Sequence, residues 1–237
     1  MRPITGLIAA ALITGVSAGA TRAEDAVFDV YLRGIKGGSL TVKANVSPTQ
    51  YAASGLVQTT GLVGKIAKFR YTANVRGKTT NAGLSPLSYS ETEHTSRRTS
   101  TSTIDYQSGT PVVTDGKDRK PRDYDIDPAK QGDTVDPLTA IYLTVRAVPE
   151  DQVCALSTFV FDGHRRSKVT LSSRIKTEAG YQCKGEYRRV AGYKPKDMQE
   201  RTSFPFTVDF VPTEDGKFHG EKISSASLYG TVVMNRR

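Results

Sequence analysis

Few residue groupings in this sequence have the types and spacing that chemistry requires. Asp123-Tyr124-Asp125-Ile126-Asp127 has the D-x-D-x-D start of a calcium loop, but an EF-hand needs Gly at its sixth position and a bidentate Glu at its twelfth. Pro128 and Thr134 stand there instead. These carboxylates are therefore expected to be solvated or to face Arg119, Lys120 and Arg122 just before them. His94, His164 and His219 are dispersed with no metal-ligand spacing, and neither H-E-x-x-H nor G-x-S-x-G occurs. Ser173-Arg174-Ile175-Lys176 matches S-x-x-K, but that chemistry places the serine at the start of a helix, and this segment reads as strand edge and turn. Any two of the 24 acids could meet in space as a general acid–base pair, and nothing in the sequence picks a pair out. No catalytic residue, metal ligand or cofactor is assigned.

Basic doublets stand at Arg97-Arg98, Arg165-Arg166 and Arg188-Arg189. On a strand, neighbours point to opposite faces, so one member of each doublet can share a surface with members from other strands. Arg97, Arg165 and Arg188 are the candidates for such a cationic stripe, which would receive phosphates or acidic polymers. The plainer reading is surface charge that discourages edge-to-edge aggregation. The chain has two cysteines, Cys154 and Cys183, with no C-x-x-C spacing and no histidine close by in sequence. In an oxidising compartment an isolated pair of this kind closes a disulfide.

The elements that would position these residues are mostly strands. Phe28, Val30 and Leu32 alternate with Asp29, Tyr31 and Arg33; Phe69, Tyr71, Ala73 and Val75 alternate with Arg70, Thr72, Asn74 and Arg76; Phe206, Val208 and Phe210 alternate with Thr207 and Asp209. Period two puts each apolar set on one face of a half-buried strand. Turn signals separate the runs: Lys36-Gly37-Gly38, Arg76-Gly77-Lys78, Asp115-Gly116, Asp162-Gly163 and Asp215-Gly216. Short turns between strands predict antiparallel meanders. One segment departs from the pattern: Leu138, Ile141, Tyr142 and Val145 fall at i, i+3, i+4 and i+7, with Asp136 as helix cap and Pro137 at the first helical position. The helix is predicted over about Pro137 to Ala147, with Pro149 as its stop. Lys117 to Thr134 is polar, carries Pro121 and Pro128, and reads as a long loop.

The start of the chain has the order of a secretion leader. Arg2 is followed by an uncharged, mostly apolar run from Ile4 to Val16 and by the small residues Ser17 to Ala20. The run is too short to span a bilayer, and cleavage is expected after Ala23, or a few residues earlier after Ala20. Residues 1–23 are thus read as a cleaved signal peptide and 24–237 as a single β-rich periplasmic domain that is soluble, with no transmembrane segment. Losing Arg2 and Arg22 lowers the formal charge from +9 to +7. Outside the cytoplasm such a charge favours envelope anions and not nucleic acid. Because Arg and Lys are scattered among the acids along the whole chain, most of the excess reads as solvated surface.

Four quoted segments carry a resemblance: Gly34-Ile35-Lys36-Gly37-Gly38, Asp136-Pro137-Leu138-Thr139-Ala140-Ile141-Tyr142, Phe161-Asp162-Gly163-His164-Arg165-Arg166 and Gly180-Tyr181-Gln182-Cys183. As an ordered set they resemble the bacterial exported family known as domain of unknown function 3108, from about Ala26 to Met234. The resemblance implies a periplasmic, β-rich protein of Gram-negative bacteria with no assigned activity. The chain departs from the family pattern in having no Trp, where members carry a Trp-containing segment before the last strands. More loosely, it is similar to a family of exported alphaproteobacterial β-spiral proteins linked to envelope integrity.

The expected fold is mainly β: a strongly curved antiparallel sheet forming an open barrel or β-spiral, with one amphipathic helix across it and one disulfide. The expected function is a non-enzymatic periplasmic protein that contributes to envelope integrity by binding a lipidic, peptide or protein partner on its concave face or an exposed edge. The alternative is a hydrolase or transferase acting on cell-wall or lipid substrates, which requires a pocket of converging carboxylates, or a histidine beside a nucleophile. The sequence sets no oligomeric state.

Overall fold

The computed structural model describes residues 21–115, 122–227 and 230–237. Among the described residues fourteen strands form one sheet: β1 (Arg22–Leu32), β2 (Ile35–Val46), β3 (Gln50–Thr59), β4 (Phe69–Thr80), β5 (Gly83–Thr95), β6 (Thr99–Gln107), β7 (Thr110–Asp115), β8 (Thr134–Val135), β9 (Leu156–Phe161), β10 (Arg166–Lys176), β11 (Tyr181–Ala191), β12 (Ser203–Pro212), β13 (Phe218–Ser227) and β14 (Gly230–Arg236). The spatial order runs β7 to β1, then β14 to β8, so two antiparallel meanders join where the first strand pairs with the last, Phe28 opposite Arg236, and the two-residue β8 adds to β9 in parallel. The sheet curls without closing, because β7 and β8 are its two ends. This is the open, curved antiparallel sheet expected from the alternating apolar runs and short turns.

The alternation places Phe28, Ala73, Val75, Val208 and Phe210 inward as period two predicts, but Leu32, expected on the same face as Phe28, is exposed at the end of β1, beyond the register shift at Val30–Tyr31. Two of the glycine signals, however, are not turns. Lys36-Gly37-Gly38 lies inside β2 and Arg76-Gly77-Lys78 inside β4, while the chain reverses at Arg33-Gly34, where both residues have positive φ. A Cβ on Gly38 would overlap the Gln58 carbonyl oxygen, and one on Gly77 would overlap the Ser85 carbonyl and the Tyr51 ring. These glycines mark close backbone approach, and at Gly77 a register shift as well. Asp162-Gly163 and Asp215-Gly216 do connect strands, whereas Gly116 lies outside the described residues.

The predicted helix is α2, following a six-residue helix α1 (Gly61–Ile66). α2 (Pro137–Val145) is capped as expected by Asp136, whose carboxylate accepts the Thr139 amide at 2.9 Å. Leu138, Tyr142 and Val145 are buried on one face and Ile141 is half-buried. The helix ends two residues before Ala147. Arg146 is already extended, the Ala147 amide donates to the Glu24 carboxylate at 3.2 Å, and Val148 forms a bridge with Phe218. Pairing with β13, and not Pro149 alone, sets the stop. One helix was expected; α1 and the equally short α3 (Pro195–Glu200) are additional, as are 3-10 turns at Pro128–Lys130 and Glu150–Gln152.

The registers define two rims. Leu32, Thr59, Phe69, Thr95, Thr99, Phe161, Arg166, Ala191 and Ser203 end or begin their strands at one of them, called here the upper rim. At the opposite end Cys154 is bonded to Cys183, with Cα atoms 5.3 Å apart, which bears out the expected disulfide. Cys183 and Val208 face each other across β11 and β12, both fully buried. The lower end is thus pinned covalently and filled, and α2 crosses the interior above it, packing on β3, β4, β9 and β13.

Candidate functional site

Under α2 the concave face of the sheet leaves an apolar groove of about 530 Å³. Val30, Leu40 and Val57 from β1, β2 and β3 face Ile141 of α2, with Phe206 of β12 and Met234 of β14 completing the wall. The residues come from all parts of the chain because β1 pairs with β14, which places Val30 directly opposite Met234. Three hydroxyls border the groove, and each is engaged elsewhere: Thr144 donates to the Ala140 carbonyl at 2.8 Å, Ser225 to the Pro205 carbonyl at 3.0 Å, and Tyr187 shares hydrogen bonds with Ser167 and Tyr193. A surface of carbon with its side-chain hydroxyls satisfied suits the body of an apolar ligand.

The groove is not isolated. A smaller space of about 310 Å³ shares Pro137, Val160 and Tyr187 with it and shares Glu91, Glu93, Asp162 and Arg165 with a polar cleft of about 500 Å³. The cleft also receives Arg98, Arg122, Asp125 and His164. Most of its charges are organised by neighbours. Arg98 lies 3.4 Å from Glu93, and Arg165 lies 3.9 Å from Asp162 and over the Tyr193 ring. Asp162 accepts the backbone amides of His164 and Arg165 at 3.0 and 2.8 Å, which fixes the β9–β10 turn.

Glu91 is the unusual member. Its Oε2 accepts hydrogen bonds from the phenols of Tyr71 and Tyr89, each at 2.5 Å, and the two phenols are themselves 2.5 Å apart. Burial raises the Glu91 carboxyl above its ordinary range, and burial together with the nearby carboxylate raises both phenols. The sequence did hold a signal for this triad: Tyr89 and Glu91 are two apart on one strand face, and Tyr71 lies on the neighbouring strand opposite Glu93.

The three arginine doublets all lie at the upper rim, but not as an aligned stripe on strand faces. Arg97-Arg98 sits in the β5–β6 turn, Arg165-Arg166 straddles the start of β10, and Arg188-Arg189 lies near the end of β11. Of the candidates, Arg165 lines the cleft. Arg97 is exposed in its turn, and Arg188 is paired with Glu186 at 2.7 Å. Arg98, and Arg122 from the loop, supply the other cleft guanidinium groups in place of Arg97 and Arg188. Arg166 and Arg189 serve structure: the first makes a bidentate pair with Asp133 at 2.6 Å, and the second donates to the Asp197 and Arg201 carbonyls.

The remaining candidates do not assemble a reaction centre. Asp125 accepts the Arg122 amide and Asp127 that of Ala129, so both organise the loop, while Asp123 is exposed. Arg122 stacks over Tyr124, and Arg119 and Lys120 lie outside the described residues. His94 is exposed beside Thr99, and His219 lies 3.2 Å from Glu221 with its pKa lowered by burial. Ser173 is in β10 with positive φ, not at a helix start. Among the described residues, no group of three or more His, Cys, Asp or Glu is placed to hold a metal ion, and no helix is long and apolar enough to cross a membrane.

Comparisons agree with this picture at the level of the family. The model of a protein family of unknown function, DUF3108, matches residues 27–235. No curated protein matches the chain. Among solved structures, the chain is similar to a β-barrel-like protein of domain of unknown function DUF1849 from Brucella abortus. The TM-score is 0.45 at 10% identity, over 90% of this chain and 94% of that one.

Proposed function

This chain belongs to the DUF3108 family, and we propose that it is an exported, non-enzymatic envelope protein that holds one long-chain amphiphile, its hydrocarbon in the groove under α2 and its head group in the adjoining polar cleft. The observation that carries this reading is the continuity of a groove whose hydroxyls are all engaged with a cleft rich in arginine and carboxylate. An envelope lipid or a fatty acid has this two-part chemistry. Burying about ten methylenes offers roughly 8 kcal/mol before the cost of immobilising the ligand, so binding is micromolar or weaker, as suits a carrier that must release its cargo. A contribution to envelope integrity follows from this role.

Export is part of the proposal, supported by the leader-like start of the sequence and by the disulfide. β1 begins at Arg22, which pairs with Glu24 at 3.1 Å, and this favours processing after Ala20 over Ala23. Native mass spectrometry of protein purified from its own compartment tests both points. The expected result is a chain lacking its first 20 residues and carrying a lipid-sized adduct that organic solvent removes. A bare chain that also fails to take up palmitate from solution would defeat the reading.

A second reading, a hydrolase or transferase on cell-wall or lipid substrates, draws its support from Glu91, whose raised carboxyl faces a cleft that also holds Glu93. Turnover of a lipid ester by the protein, abolished by Glu91→Gln without loss of fold, would establish it in place of simple binding.

A further inference from the structure

Arg and Lys are scattered among the acids over most of the chain, but not throughout it as the composition suggests. Between Val30 and Ser90 there are eight lysines and arginines and no Asp or Glu. This stretch contains α1, the connection between β3 and β4, whose construction has no role in the core. No residue of α1 is buried, and a helix of six residues is marginal on its own. It is held by its ends: the Thr59 hydroxyl donates to the Ala67 carbonyl at 2.8 Å and accepts the Phe69 amide at 3.0 Å. Val63 faces Gly37 of β2, which leaves Leu62 and Ile66, four apart, on the outward side. They are the most exposed large apolar side chains among the described residues, at 76% and 87%, and Ile35, the first residue of β2, follows at 67%.

Position and charge say what such a tip meets. α1 sits on the upper rim against β2 and β3, two residues along the chain from Val57 of the groove wall to the end of β3. Lys65 and Lys68 are exposed beside Leu62 and Ile66, and Arg33 of the neighbouring turn and Lys36 at the start of β2 are exposed as well. Lys36 has a partner in Asp29 at 2.7 Å; Lys65 and Lys68 have no carboxylate on their own segment. Two protruding aliphatic side chains flanked by lysines match the interfacial region of a membrane that carries anionic lipid: hydrocarbon enters below the head groups and the lysines meet phosphates. A protein partner of the same size would need a broader apolar surface than two side chains.

We propose that α1 is a membrane-docking tip, by which Leu62 and Ile66 enter an anionic lipid surface while Lys65 and Lys68 hold its phosphates. This inference rests on the tip and its charge, not on the groove being filled. Docking at this rim would also bring the groove toward the bilayer.

The test exploits the absence of tryptophan. Leu62→Trp gives a protein with a single indole at the tip. Mixed with vesicles of phosphatidylcholine and phosphatidylglycerol, its emission is expected to move to the blue and the protein to sediment with the lipid; phosphatidylcholine alone gives neither. In the Leu62→Trp background, Ile66→Asp is expected to weaken association by at least about tenfold, and Lys65→Gln with Lys68→Gln by roughly twenty-five-fold, fivefold per lysine. All these positions are exposed, so the thermal midpoint should stay that of the parent. No blue shift with phosphatidylglycerol in folded protein overturns the proposal, as does sedimentation that survives Leu62→Asp with Ile66→Asp. A blue shift that grows with protein concentration in the absence of vesicles overturns it in favour of a second copy of the chain.

Discussion

The Tyr51 hydroxyl lies 2.8 Å from the Thr139 hydroxyl, joining residues 88 apart in sequence. Thr139 in turn donates to the Asp136 carboxylate at 2.5 Å, so a buried chain of three polar groups fastens the first turn of α2 to β3. That turn forms the roof of the groove, and Leu138 beside it packs against Gly55 of β3 so closely that a Cβ there would strike it.

Tyr51→Phe removes one end of this chain and leaves Thr139 bonded to Asp136. The expected cost is about 1 kcal/mol, seen as a fall of roughly 2–4 °C in thermal midpoint for a domain of this size. Thr139→Val, which takes the hydroxyl partner from both Asp136 Oδ2 and the Tyr51 hydroxyl, should cost more, about 2–4 kcal/mol.

Asp136 is fully buried, and burial pushes its pKa up to about 6 despite the hydrogen bonds from Thr139. A carboxyl whose folded pKa exceeds its unfolded one, about 3.9, favours the fold while protonated. That stability is fully present below about pH 4 and is lost as pH rises through about 6. Asp136→Asn keeps an acceptor for the Thr139 amide without the charge. Chemical denaturation at several pH values between 4 and 7 should therefore show, relative to the Asp136→Asn variant, a wild-type stability that declines with pH by on the order of 2 kcal/mol. An unchanged difference across that range would contradict the buried, uphill carboxylate.

Reduction of the Cys154–Cys183 bond, which closes a separation of 29 residues, should cost about 3–4 kcal/mol through the freedom it returns to the unfolded chain. Calorimetry would then show a fall of roughly 7–15 °C. Because neither Cys154 nor Cys183 lines the groove, reduced protein kept below its new midpoint should bind palmitate as before.

Groove and cleft should separate by ligand chemistry. Ile141→Asp places a carboxylate against the hydrocarbon and should weaken both palmitate and hexadecanol more than tenfold, whereas Ile141→Leu should be near neutral. Arg165→Gln should weaken palmitate several-fold and leave hexadecanol unchanged, since only the first has an anionic head. Displacement of a fluorescent fatty acid measures both ligands on all three variants.

Much of the fold was legible and most of the site was not, for a physical reason. Period two marked Phe28, Ala73, Val75, Val208 and Phe210 as inward, and the spacing from Leu138 to Val145 with an Asp-Pro start marked α2, because both signals are local. Gly38 and Gly77 misled because glycine serves close approach as well as reversal, and only the partner strand, Gln58 or Ser85, tells them apart. α1 was missed because six residues with two glycines carry too little periodicity. The groove could not be read at all, since its walls depend on β1 meeting β14, a pairing between the two ends of the chain. Likewise the arginine doublets were visible, but only the turn geometry shows that Arg98 and Arg165 face one cleft.

A hydrocarbon chain lodged in the groove beneath α2 is the state on which the proposed function depends, and NMR of methyl-labelled protein titrated with palmitate would detect it. Saturable shifts are expected at Val30, Val57, Ile141 and Met234, with the buried Leu84 of β5, outside the groove lining, unmoved. Saturating palmitate that leaves those four methyl-bearing residues unshifted, or that moves only surface methyls such as Ile175, would contradict it.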